Sequence, residues 1–379
     1  MRREIWVGRY IGIDVYLHYS WFLIFALLAY ALATNLFPSQ FPDQSAGAYW
    51  ILGTIASALL FVSVLLHELS HSYIARRHGM KVDRITLFFF GGMASASEQH
   101  ITPKKEFQMA IAGPAMSLAI SGTFLVIYNL TGFFYIAAIA GYLYRINLIL
   151  AVFNLVPGFP LDGGRVLRSI IWYWTKDFEK ATRIASTGGK IVAYVLFGLG
   201  IFSLFSGNFS GVWLMLIALF ILTLSTLSYE QVLLKDMLKG MTAGDFADSK
   251  FMHIGPKMKI KDAVVKHFLK KDIDNILVTE NSSLKGLLTI KAVQQLKKES
   301  WPDKSVEEIM IPAGKVAKTK IHTPAYTALI KMLKKGQDIA PIIDKKKVVA
   351  VIRRESMLRF VKLKSAEKHA KEAGLVEMK

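Results

Sequence analysis

Six apolar runs, each close to the length needed to cross a bilayer, fall in the first 230 residues, at 15–37, 48–74, 107–130, 133–156, 191–205 and 212–227. A hydrocarbon layer about 30 Å thick takes about 20 helical residues to span. Inside it no water satisfies backbone N–H and C=O groups, so each run must be a helix, which excludes lipid-exposed loops and open strand edges there. The fifth run is short, and its start is expected earlier, near Gly188-Gly189. Met1-Arg2-Arg3-Glu4 leads into β-like residues, with no short apolar core ending at small residues. The first run therefore reads as a retained span rather than a cleaved signal.

Composition agrees. Apolar residues make up 53% of the chain and charged residues only 20%, against about 25% in soluble proteins. Yet 47 Lys and Arg face 28 Asp and Glu, a formal charge of +19. Apolar spans joined by basic cytoplasmic segments reconcile the two. There is no cysteine, which excludes disulfide frameworks, thiolate metal sites and cysteine nucleophiles.

The basic residues also set orientation. Arg2 and Arg3 precede the first span; Arg76, Arg77, Lys81, Arg84, Lys104 and Lys105 follow the second; Arg165, Arg168, Lys176, Lys180, Arg183 and Lys190 follow the fourth. The alternate loops, 38–47, 131–132 and 206–211, carry none. The positive-inside rule then places both termini in the cytoplasm.

Two stretches on that side break the helical pattern. Residues 81–96 are β-rich and end in glycine and small residues, the pattern of a hairpin or edge strand. Residues 156–164 (VPGFPLDGG) hold too much Pro and Gly for continuous helix. Beyond Tyr229 apolar runs shorten to strand length and lysine becomes abundant. A helix at 260–271, strands at 275–279 and 286–289 and a helix at 290–298 recur as 326–335, 339–343, 348–352 and 354–361, offset by roughly 65 residues. The fold class expected is a polytopic α-helical membrane protein with a short membrane-associated β segment, followed by a soluble α/β domain of two related halves. The divisions are 1–230, 241–362 and a charged tail, 363–379, read as a solvated helix or an extended tail.

The second run ends in His67-Glu68-Leu69-Ser70-His71. On a helix, residues i and i+4 share a face one turn apart. Two imidazoles so placed can reach one Zn²⁺, and the glutamate between them can take a proton from a coordinated water. Ionisable residues at the end of an apolar span are costly unless paired or coordinated. His78, beside Gly79, reads as a surface residue, and His18 as an interfacial one. Catalytic zinc needs a third protein ligand. Glu98 and His100 stand nearby in a polar loop, but Asp162, in a Pro/Gly turn at the same depth as the histidines, is favoured.

His67–His71 and Asn154–Gly164 (NLVPGFPLDGG) together resemble the two signatures of the site-2 proteases, intramembrane zinc metalloproteases, with every fixed position matched. The resemblance covers approximately residues 1–230. It implies zinc held by His67, His71 and Asp162, Glu68 as general base, and Asn154 holding the substrate carbonyl or the developing oxyanion. Phe90-Gly91-Gly92 resembles the family's membrane-associated strand, which implies a role in receiving an unwound substrate by strand addition. Ala112-Gly113-Pro114 resembles its small-residue motif; asparagine commonly stands three residues after that proline, whereas this chain has Ser117, to which no role is assigned.

The C-terminal repeat, 241–296 and 306–362, resembles a tandem pair of CBS domains, which implies an adenine nucleotide ligand. Gly286 and Thr289 match the ligand motif, but Ala292 stands where an acidic residue is expected; in the second half Ala350, Arg353 and Ser356 occupy the corresponding places. Weak nucleotide binding through phosphate contacts is the expectation. The expected partners are transmembrane protein substrates, the bilayer of a prokaryotic cell membrane, an adenine nucleotide and a second copy of the chain, with no nucleic acid. The competing reading, a CBS-gated transporter or channel using the histidines as a metal transport site, predicts ionisable residues along several spans; here they cluster at one depth.

Overall fold

The computed structural model describes residues 4–89, 91–96, 102–269 and 273–372. The chain forms two compact units, Met1–Glu230 and Gln231–Lys379.

The first unit opens with an antiparallel hairpin, β1 (Glu4–Tyr10) and β2 (Ile13–His18). The first span, α1 (Tyr19–Gln40), starts four residues later than hydropathy suggests, because Val15 belongs to β2. His18 caps it, its Nδ1 accepting from the Ser20 N–H at 3.2 Å. A π turn at Leu32–Leu36 interrupts this helix. Next, α2 (Ala46–Arg77) runs 32 residues, about 48 Å at 1.5 Å per residue, longer than the hydrocarbon layer. The expected hairpin is present as β3 (Val82–Phe88) paired antiparallel with β4 (Gly91–Ala96). β3 pairs in parallel with β2, so the sheet order is β1-β2-β3-β4, with β4 at an edge among the described strands.

Four further helices of membrane-spanning length follow: α3 (Pro103–Leu130), α4 (Phe134–Asn154), α6 (Phe178–Phe205) and α7 (Ser210–Met237). The six spans expected are therefore present among the described residues. Between α4 and α6 lies α5 (Asp162–Thr175), which carries Arg165 and Arg168 and is too short to span. The Pro/Gly turn thus ends at Leu161, and Asp162-Gly163-Gly164 already forms helix. The fifth span begins at Phe178, well before Gly188-Gly189, capped by Asp177. Hydropathy misses its first turns because they carry Glu179, Lys180 and Arg183. The glycine pair is interior: Gly188 and Gly189 let the Pro157–Phe159 backbone lie directly on α6, where a Cβ on either would overlap a backbone carbonyl.

Apolar packing divides this unit into two regions. Ile13, Leu69, Val82, Ile85, Leu87 and Met109 join the sheet to α2 and α3. Leu32, Phe37, Leu52, Leu143 and their neighbours join α1, α2 and α4.

The second unit is a six-stranded sheet whose main path runs β5 (His253–Ile254), β6 (Asn275–Glu280), β7 (Ser283–Thr289), β10 (Lys347–Arg353), β9 (Ile339–Asp344), with β8 (Ile311–Pro312) on β7. Its halves repeat in detail. Ile290 N–H donates to the Asp274 carbonyl and Arg354 N–H to that of Asp338, both at 2.8 Å. Each half also opens on a capping box, Thr242 with Asp245 and Ser305 with Glu308. Hydrogen bonds from the capped backbone hold both carboxyls below their usual pKa range. The helix expected at 260–271 is a short α turn, Ile260–Ala263, continued by a π turn, Val264–Phe268. The core includes Met237 and Leu238, both buried, so this unit begins before residue 241. Residues 363–372 continue the helix Arg354–Glu372.

Candidate metal centre

His67 and His71 project from one face of α2, one turn apart, and both are buried. Asp162 enters from the first turn of α5, where a helix N-terminus favours a carboxylate. The Asp162 Oδ2 atom lies 3.1 Å from Nε2 of His67 and 3.1 Å from Nε2 of His71, and the two Nε2 atoms are 3.2 Å apart. Ligand atoms about 2.0–2.1 Å from a tetrahedral zinc are separated by about 3.3 Å. Three donors in a near-equilateral triangle of this size, two imidazole and one carboxylate, fit zinc with a fourth position left for water.

Each imidazole has a second partner that fixes its orientation. His71 Nδ1 lies 2.6 Å from the Met109 carbonyl, and His67 Nδ1 lies 2.9 Å from Ser117 Oγ. Both partners are on α3. The Met109 carbonyl can only accept, so His71 Nδ1 donates to it and Nε2 is left free for metal, while the Ser117 hydroxyl holds the His67 ring in place. Between them on the same helix stands Gly113, where a Cβ would overlap the Nε2 atoms of both histidines. Gly113 of the Ala-Gly-Pro motif therefore forms part of the wall of the site. Ser117, given no role from sequence, is fully buried and touches His67. Its signal was the position itself, four residues after Gly113 on one helical face.

Glu68 lies between the two histidines in sequence and faces β4: a Cβ on Gly92 would overlap its Cγ. Gly91 adopts φ +127°, a conformation L side chains rarely take. Phe90, Glu98 and His100 lie outside the described residues. Asn154 is the last residue of α4 and is half-buried; it makes no hydrogen bond to His67, His71 or Asp162 among the described residues. The loop between Asn154 and Asp162 is tied down at Phe159, whose N–H donates to the Ala185 carbonyl at 3.1 Å and whose carbonyl accepts from Ser225 Oγ.

Comparison with known proteins bears on this site. The profile described as peptidase family M50 matches residues 55–141 and 132–197, which include both histidines and Asp162. The chain is 35% identical over 322 residues to sll0528 of Synechocystis, covering 82% of each chain. It is 31% identical over 369 residues to Rip3 of Mycobacterium tuberculosis, covering 95% of this chain and 93% of that one. Both are zinc metalloproteases by name. Among solved structures, the site-2 protease from Methanocaldococcus jannaschii matches 60% of this chain and 95% of its own at 30% identity, with a TM-score of 0.41.

Proposed function

This chain belongs to peptidase family M50, the site-2 proteases, and from that membership we propose how its own residues carry out intramembrane proteolysis. The protein is a multi-pass integral membrane zinc metalloprotease whose substrates are membrane proteins. In our reading His67, His71 and Asp162 hold the zinc and Glu68 is the general base. The observation that carries this is the 3.1–3.2 Å triangle of donor atoms, with Glu68 beside it.

Bound zinc supplies a Lewis acid that brings the pKa of a coordinated water to about 7 and polarises the scissile carbonyl. Glu68 then accepts the proton of the attacking water and returns it to the departing amine. Asn154 donates its amide N–H to the substrate carbonyl as negative charge develops there. A transmembrane helix hides its carbonyls in internal hydrogen bonds, so the substrate must be held extended. β4 suits that task, since it pairs only with β3 among the described strands and Gly92 packs on Glu68. Phe90 and Gly91 belong to the same substrate-holding segment.

The lysine and arginine asymmetry supports cytoplasmic termini, and the relatives from Synechocystis and Mycobacterium tuberculosis support a prokaryotic cell membrane. The C-terminal unit is then a cytoplasmic regulatory module, whose paired halves suit an adenine nucleotide held through its phosphates. Purified protein in detergent, incubated with single-span substrates, should cleave them, and a zinc chelator should abolish cleavage. Chelator-resistant cleavage would overturn the zinc assignment.

A further inference from the structure

Glu106, in the first turn of α3, is fully buried, and so is most of Arg168, on α5. The Arg168 guanidinium donates to Glu106 Oε1 through Nε at 2.8 Å and again through Nη2. It lies over the rings of Phe159, at 4.8 Å, and Phe178, at 4.7 Å. Phe159 lies in the loop leading to Asp162, and Phe178 opens α6. One guanidinium therefore joins α3, α5, that loop and the start of α6.

Stability alone does not account for this pair. Two charges removed from water are often no better than well-packed apolar residues, even with good geometry. Here Glu106 Oε2 is buried with no donor among the described residues, so the carboxylate is incompletely satisfied. What the pair does fix is the packing of α3 against α5. α3 brings Met109, Gly113 and Ser117 to the two imidazoles, in the same buried stripe as Glu106. α5 brings Asp162, six residues or about 9 Å of helix before Arg168. Asp162 is the one donor of the triangle not carried by α2, so its distance from the histidines depends on where α5 is held.

We propose that Glu106 and Arg168 are positioning residues of the protease: their buried pair locks α5 to α3 and so holds the Asp162 carboxylate at its place beside His67 and His71. The proposal rests on the reading of Asp162 as a metal ligand. Neither residue touches the reacting atoms. Their effect is on the geometry of the donor triangle, which metal affinity reads directly.

The test uses the full chain in detergent. Zinc affinity is measured by competition with a chelator, the visible spectrum with cobalt in place of zinc, and the melting temperature without metal. The variants are Glu106→Gln, Arg168→Lys and the double Glu106→Gln/Arg168→Gln. The double is included because the single glutamine strands a buried guanidinium. Zinc affinity should fall in each, the cobalt spectrum should change, and the double should lose no more than the worse single, as expected for partners in one contact. A lowered melting temperature with zinc affinity and cobalt spectrum unchanged would overturn the proposal, leaving the pair a packing element. Failure of all three variants to fold would overturn it equally. Asp162→Asn, measured alongside, separates the two readings: if it binds zinc as the parent does, the ligand assignment fails, whereas if it loses zinc while the pair variants do not, only the positioning role fails.

Discussion

Ser117 meets the Nδ1 atom of His67 at 2.9 Å, while the Asp162 carboxylate lies 3.1 Å from Nε2 of the same ring. The imidazole thus has a polar partner on both sides, and the hydroxyl helps to orient the ring that presents Nε2 to the metal. Ser117→Ala removes that contact without touching a ligand. Zinc affinity should drop roughly 10–100-fold, measured by chelator competition, with the cleavage rate restored at saturating zinc. An unchanged affinity would mean that packing alone orients the ring.

Glu68→Gln should eliminate proteolysis while zinc stays bound. The amide keeps the size and polarity of the side chain but cannot accept the proton of the attacking water. Metal analysis paired with a cleavage assay checks both halves of this expectation. Undiminished cleavage would rule Glu68 out as the base.

Asp162→Ala should lower zinc occupancy and activity together, because it removes one corner of the donor triangle. Glu98→Ala should do neither. If Glu98→Ala strips the metal instead, the third ligand has been misassigned.

Gly92→Ala should leave zinc occupancy unchanged and lower kcat/KM by about tenfold or more, the scale of a small misplacement beside a reacting group. The new methyl would overlap the Glu68 side chain, so β4 must move away from it. Cleavage at the parental rate would show that substrates do not depend on this strand's approach to Glu68.

Much of this architecture was legible in the sequence, for identifiable reasons. Membrane spans follow from length and hydropathy, and the His67–His71 spacing fixes a shared helical face. Asp162 could be named because a lone carboxylate stood in a rigid turn at the same depth. Span boundaries were less legible: the first turns of α6 carry charge, and Val15 joins a strand. Least legible were the groups that matter through tertiary contact. Ser117, Gly113 and the Met109 carbonyl acquire their roles only when α3 lies against α2. Glu106 and Arg168 are 62 residues apart, and no periodicity links them.

The second unit departs from the nucleotide-binding pattern it resembles, and the structure sharpens the consequence. Thr289 already accepts from the Ala292 N–H at 3.2 Å, capping the helix Ile290–Gln294, and no acid follows it where a ribose would be held. In the second half Arg353 pairs with Asp248 at 3.4 Å and Ser356 is exposed. Losing a charge-assisted hydrogen bond costs about 1.5–3 kcal/mol, or roughly one to two decades of affinity. The unit also carries 31 of the 47 Lys and Arg of the chain. Binding of ATP or AMP should therefore be weak, rest on phosphate contacts and fall steeply as salt rises, since exposed charge pairs are screened beyond about 10 Å at 0.1 M. Calorimetry at low and high salt on Gln231–Lys379 is the measurement. A fragment starting at residue 241 would lack Met237 and Leu238, which are part of the core. Tight binding that ignores salt would show that the ribose is held by residues other than those the motif predicts.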